Sequence, residues 1–255
     1  MLVKLIRYGL YDLLKSRWIL ATLLFYSVAV YLLLEFGRSV EKVVVSYGSI
    51  SSLSLSLFSL LLSTTYIYRN RNFFEFILSQ PVKRSILLTS IISSLSLSIY
   101  FGYFLGSLLP FYYLAGFSFS FFKCVLLNSF LIPLFVNLGV LPALLVEDKI
   151  KGLGFSLFIW IFFCILYDAL LLYITVALSE YPVEKILISL TLLNPVDSVR
   201  LTLLMDVGLY ELMGFVGKWL AKYLKDLWFF PILLSLFYTL FLFFLNKRIF
   251  KRRDF

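Results

Sequence analysis

Histidine is absent from this chain of 255 residues. Its absence removes His-based proton relays, HExxH zinc sites and His-dependent nucleophilic triads, all of which need an imidazole. Charge is scarce too: charged residues make up 15% of the chain, where a soluble domain carries roughly a quarter. The only two cysteines, Cys124 and Cys164, both fall in apolar runs. They read as small buried hydrophobes rather than as a disulfide pair. No G-x-x-x-x-G-K-[ST] phosphate loop occurs, and Gly214 to Lys218 has the wrong spacing for one. Paired carboxylates, Cys clusters and Gly-rich nucleotide loops are missing as well. The chain therefore reads as not an enzyme, with no cofactor of its own. Any ATP-driven work needs a second chain to bind the ATP and its Mg.

What is present is apolar, at 62% of residues. Six predominantly uncharged runs stand out: Trp18–Phe36, Gly48–Tyr68, Ile86–Leu109, Phe122–Val146, Leu153–Leu178 and Leu227–Leu245. Each reaches the roughly 18 or more residues that span a bilayer as a helix. The LSLSLFS stretch in the second run alternates like a strand. The surrounding apolar run is nevertheless far longer than the ~9–11 residues of a barrel strand. The expected fold is all-α: one polytopic membrane domain over 1–255 with six transmembrane helices. The first run lacks a signal-peptide cleavage site and is expected to stay as a span.

The basic residues set the orientation. With the N-terminus inside, 15 of the 23 Lys and Arg fall on inner segments, while outer charges balance. That obeys the positive-inside rule with both ends in the cytoplasm. The net charge of +9 then points to anionic lipid and not to nucleic acid.

Residues 1–17 pattern as an interfacial helix, with Leu2, Leu5, Ile6, Leu10, Leu13 and Leu14 opposite Lys4, Arg7, Tyr11 and Lys15. Ser49, Ser52, Ser56, Ser59 and Ser63 form one helical stripe, and Ser90, Ser94, Ser98, Gly102 and Gly106 another. Small residues at that spacing let helices approach closely, although a polar path is the competing reading. Pro133 and Pro142 should bend the fourth span, either around a neighbour or to line a cavity.

Asp168 is the one acid deep within a run, either hydrogen-bonded by Tyr167 and Tyr173 or functional. The outer segment 179–226 ends in an amphipathic or re-entrant stretch. There Glu211, Lys218, Lys222 and Lys225 oppose Leu209, Leu212, Met213, Val216, Leu220, Tyr223 and Leu224. Before it, LNPVDSVR places a turn at Asn194-Pro195, with Asp197 as the expected helix cap and an Asp197–Arg200 pair at i,i+3.

The inner loop 69–84 reads RNRNFFEFILSQPVKR. Its acid followed by Leu-x-x-Pro-x-x-Arg resembles the first cytoplasmic loop of type-2 ABC transporter permeases. The resemblance implies a coupling helix resting on an ATPase subunit, through Phe73, Phe74, Glu75, Phe76, Leu78, Gln80, Pro81 and Arg84. It also implies a homodimer in the cytoplasmic (inner) membrane. Asn194, Pro195, Asp197 and Arg200 are similar to the Asn-Pro-x-Asp-x-x-Arg element of permeases associated with nitrous oxide reductase maturation. Those permeases work with a cytoplasmic ATPase and a periplasmic subunit on a copper-sulfur site. The same architecture also serves drug and lipid exporters, and a mechanotransmitting assembly factor that moves no cargo. As transported species copper fits poorly, because the outer segment offers only Met205 and Met213 as soft ligands.

Overall fold

The computed structural model describes residues 2–37, 39–178, 184–208 and 228–252, and among these all regular structure is helical. A short helix, α1 (Leu2–Leu14), precedes the first long ones, α2 (Arg17–Phe36) and α3 (Val40–Arg69). The eight-residue α4 (Arg71–Leu78) leads to α5 (Arg84–Ala115), then α6 (Phe119–Ser129) and α7 (Leu131–Leu145). Next come α8 (Lys149–Ile161) and α9 (Tyr167–Ala177), then α10 (Glu184–Leu193), α11 (Pro195–Asp206) and α12 (Phe230–Arg252). Six stretches are long and apolar enough to cross a membrane: α2, α3, α5, α6–α7, α8–α9 and α12. Each expected run coincides with one of them to within a few residues, apart from the extra turns at the ends of α3, α5 and α12.

Small residues hold the bundle together. A Cβ on Gly139 of α7 would collide with Ser63 Oγ and the Leu60 carbonyl of α3. The bare glycine lets Thr64 Oγ1 donate to the Gly139 carbonyl at 2.8 Å and lie 2.8 Å from Ser156 Oγ of α8. In α5, a Cβ on Gly102 would lie 2.7 Å from Thr22 Oγ1, and one on Gly106 the same distance from the Leu23 carbonyl, both on α2. The serine stripes serve packing. Ser52, Ser56, Ser63, Ser90, Ser94 and Ser98 are buried and donate to carbonyls three or four residues back. Bonding within their own helix satisfies the hydroxyls while helices press against them.

Proline explains the break in the fourth span. Pro133 cannot donate to the carbonyl of Ser129, and the helix is interrupted at Phe130, between α6 and α7. The fifth span is interrupted differently, by one π turn at Phe162–Leu166. Burial separates inner from outer helices: 78% of an apolar 18-residue stretch in α6–α7 is buried, against 6% of one in α8–α9. The helices α2, α8–α9 and α12 thus present most of their apolar surface outward.

Helix α1 packs under α5, where a Cβ on Gly9 would lie 2.7 Å from Ser94 Oγ. Leu13 is buried, but Leu2 and Leu14, expected on the same apolar face, are exposed. The packed face is narrower than the hydrophobic pattern suggested, centred on Leu5, Gly9 and Leu13. Asp12 of α1 pairs with Arg69 at the end of α3, 3.1 Å apart. At the same end of the bundle Asp148 caps α8 by accepting from the Lys151 amide at 2.9 Å, which holds its carboxyl below the usual range.

Candidate functional site

Two groupings of the sequence-predicted residues take shape. The first is α4, which starts one residue past the end of α3 and stops just before Pro81. Phe74 and Ile77 point into the bundle; Phe74 is 2% exposed and packs against Tyr66, ring centroids 6.2 Å apart. Phe73 stacks on Tyr8 of α1 at 5.2 Å, and Leu78 is half-buried against the core. The other face is open: Glu75, Phe76, Gln80 and Pro81 are exposed, Phe76 at 62%. Glu75 pairs with Arg71 one turn back, 3.5 Å apart. Arg84 Nη1 donates to the Lys251 carbonyl at 3.1 Å, tying the loop's end to α12. The eight residues assigned to this loop thus divide: Phe74 is a core residue, Phe73 and Leu78 bind α4 to its neighbours, Arg84 ties the loop's end to α12, and four face outward.

The second grouping was expected as separate pieces. Helices α10 and α11 meet at Asn194 with a 110° bend, so the chain turns back on itself. The tip is buried: Asn194, Pro195, Val196, Asp197, Ser198 and Val199 are all shielded, with Leu193 exposed just before them and Arg200 half-buried after them, so the centre of LNPVDSVR lies inside the bundle and not on an outer surface. Asn194, not Asp197, caps α11. Its side-chain oxygen accepts from the Val196 amide at 3.1 Å, with Pro195 in the first turn where a missing N–H costs nothing. Asp197 sits three residues past the cap, and its carboxylate accepts from Asn194 Nδ2 at 2.6 Å.

Arg200 then gathers the charges. Its Nη1 donates to Asp197 at 3.4 Å, the local pair the spacing predicted, and also to Asp168 of α9 at 3.3 Å. Its Nε donates to Ser52 Oγ of α3 at 3.2 Å. Asp168 is therefore held by arginine and not by the tyrosines expected beside it. Tyr167 instead donates to the Leu190 carbonyl at 2.6 Å, and Tyr173 is exposed. The three side chains differ in solvation: Asp197 is 7% exposed, Arg200 19% and Asp168 48%. Two carboxylates share one guanidinium, so the cluster carries formal charge −1 when all three are ionised. Ser52 lies 17 residues from Arg69, about 25 Å along α3, so the cluster sits well away from the α4 end.

A feature absent from the sequence reading completes the site. The π turn in the fifth span shifts its carbonyl ladder, and the Phe163 carbonyl accepts from Asn194 Nδ2 at 2.8 Å. Asn194 thus joins the irregular turn of one span to the cap of α11. Nearby, Trp160 donates to Ser56 Oγ at 3.0 Å, and Cys164 Sγ is 3.5 Å from the same oxygen. Cys124 and Cys164 are both free. Among the described residues no three Cys, Asp or Glu side chains converge as a metal site would require. The amphipathic stretch from Leu209 to Lys225 lies outside the described residues. No protein-family model matches this chain, and no curated protein gives a significant match to it.

Proposed function

We propose that this chain is the membrane subunit of an ABC-type complex, with α4 as the coupling helix for a separate cytoplasmic ATPase. One observation carries the reading. A short helix lies across the end of a six-span bundle, fixed by Phe74 and Ile77 beneath while Glu75, Phe76 and Gln80 remain exposed. A lever needs both a rigid underside and an accessible upper side. In this reading the Lys and Arg around α1, α4 and α12 mark the cytoplasmic side. Both ends are then inside, with α1 in the headgroup plane. Two copies and two ATPases make the working unit. The α10–α11 hairpin enters from the opposite side, where a periplasmic partner or the cargo gate belongs.

A second reading is a mechanotransmitter that moves no cargo. Six buried serine hydroxyls favour it, those of Ser52, Ser56, Ser63, Ser90, Ser94 and Ser98, which are turned back onto their own helices, although Ser59 Oγ is buried without a partner. Co-purification from the native membrane with azido-ATP labelling tests the common part. The expected result is an ATPase that is labelled, retained by the wild-type chain and lost on Phe76→Asp. Recovery of no labelled partner, or equal recovery with Phe76→Asp and Glu75→Lys, would overturn the proposal.

A further inference from the structure

At the end of the bundle remote from α4, the hairpin between α5 and α6 frames a cavity of about 290 Å³ that is open to the outside. Gly116, at φ +78°, makes the turn, and Ser118 caps α6 by accepting from the Phe121 amide at 3.5 Å. Phe111 and Phe121 form the buried floor, stacked with centroids 3.8 Å apart. Leu108, Leu109, Phe117 and Phe122 contribute the walls. Among the described residues no charged side chain lines the cavity, and the cation on α6, Lys123, is engaged by Asp206 at 2.6 Å. Tyr112, Tyr113, Phe117 and Phe119 stand exposed around the rim.

Depth identifies what fills such a space. Leu108 lies 24 residues beyond Arg84, about 36 Å along α5, whereas the hydrocarbon core is ~30 Å and the whole bilayer about 40–45 Å thick. With Arg84 at one headgroup layer, the cavity sits at the boundary between acyl chains and headgroups of the opposite leaflet. Exposed aromatic rings belong at that level. Water gains nothing in a site lined by hydrocarbon, since it needs two or more polar partners. The volume is at the small end of the ~300–1,000 Å³ typical of ligand pockets, too small for a whole lipid and suited to part of one chain.

We infer that this cavity is a lipid site, which takes the upper segment of an acyl chain from the leaflet opposite α4. The inference rests on the membrane-spanning reading and is independent of the ATPase partner. The test reconstitutes the full chain in phosphatidylcholine vesicles doped with a phosphatidylcholine carrying a diazirine near the glycerol end of one chain. Irradiation and peptide mapping should place at least threefold more label on 108–122 than on the exposed face of α8–α9. Leu109 is exposed, so Leu109→Trp should fill the cavity without unfolding the protein. Label on 108–122 should then drop at least threefold while label on α8–α9 stays constant. Leu109→Gln, which makes the wall polar, should give the same selective loss. Equal labelling of the two regions, or labelling unchanged by both variants, overturns the site. So does a disulfide-linked dimer from Phe117→Cys in place of lipid adducts, since a second copy of the chain would then cover the cavity.

Discussion

Replacing Arg200 by glutamine should destabilise the bundle far more than neutralising either acid it binds. The substitution removes three donated bonds, to Asp168, Asp197 and Ser52. The Asp168 arm contributes less, because that carboxylate is 48% exposed and lies 19 residues, about 28 Å, beyond Lys149, at the far end of its span where headgroup water screens the pair to ~0–1 kcal/mol. The Asp197 arm dominates. At 7% exposure its carboxylate would lose its counter-charge and keep Asn194 Nδ2, 2.6 Å away. Breaking a buried pair from one side costs about 3–5 kcal/mol, and the retained amide bond argues for the lower end. The expected loss is about 3 kcal/mol, or roughly a hundredfold in the folded-to-unfolded ratio. Asp168→Asn should cost at most about 1 kcal/mol. Asp197→Asn, which leaves Arg200 paired with Asp168, should cost about 1–2 kcal/mol. The double variant Asp197→Asn/Arg200→Gln should fall short of the sum by about 1–2 kcal/mol, because it strands no buried charge. Detergent unfolding in mixed micelles, followed by tryptophan fluorescence, reads these differences. Trp160 is a local reporter, since its indole donates to Ser56 one turn from Ser52. Equal, sub-kilocalorie effects of Arg200→Gln and Asp168→Asn would show that the cluster is a hydrated surface network and refute the reasoning.

Three further outcomes follow from the same geometry. Gly139→Ala should cost about 1–3 kcal/mol, because the new methyl meets the Leu60 carbonyl, which cannot move aside. Gly154→Ala on α8 meets nothing within 4 Å and should raise stability by up to about 1 kcal/mol; thermal melts of the two variants should move in opposite directions. Phe74→Ala should destabilise the isolated chain by about 3–5 kcal/mol. Phe76→Asp, on the exposed face of α4, should leave the melt unchanged and be detected only in partner binding. Asn194→Ala removes the α11 cap and the bond to the Phe163 carbonyl, so about 2 kcal/mol should be lost. Hydrogen exchange should show that loss as faster amide exchange at the start of α11.

The spans were legible because a long uncharged run in a chain of this composition has a single physical solution. Every backbone donor in lipid must be satisfied within the segment. The four-residue spacing of Ser and Gly in α5 pointed to close helix contact, because small residues one turn apart let backbones approach. The charged cluster was not. Arg200 meets Asp168 across 32 positions and Ser52 across 148, and both contacts depend on the bend at Asn194 and the π turn at Phe162–Leu166. Nothing in a hydropathy profile encodes a π turn, so the partners that helix spacing alone offers Asp168 are Tyr167 and Tyr173, and Arg200 stays out of view. One signal did point the right way: Asn, Pro, Asp and Arg, all poor choices for an apolar interior, occur together within seven residues. Such a group survives burial only if its members satisfy one another, and Asp168 was the remaining acid with an uncertain partner. Counting the charges that burial leaves uncompensated would have joined the two.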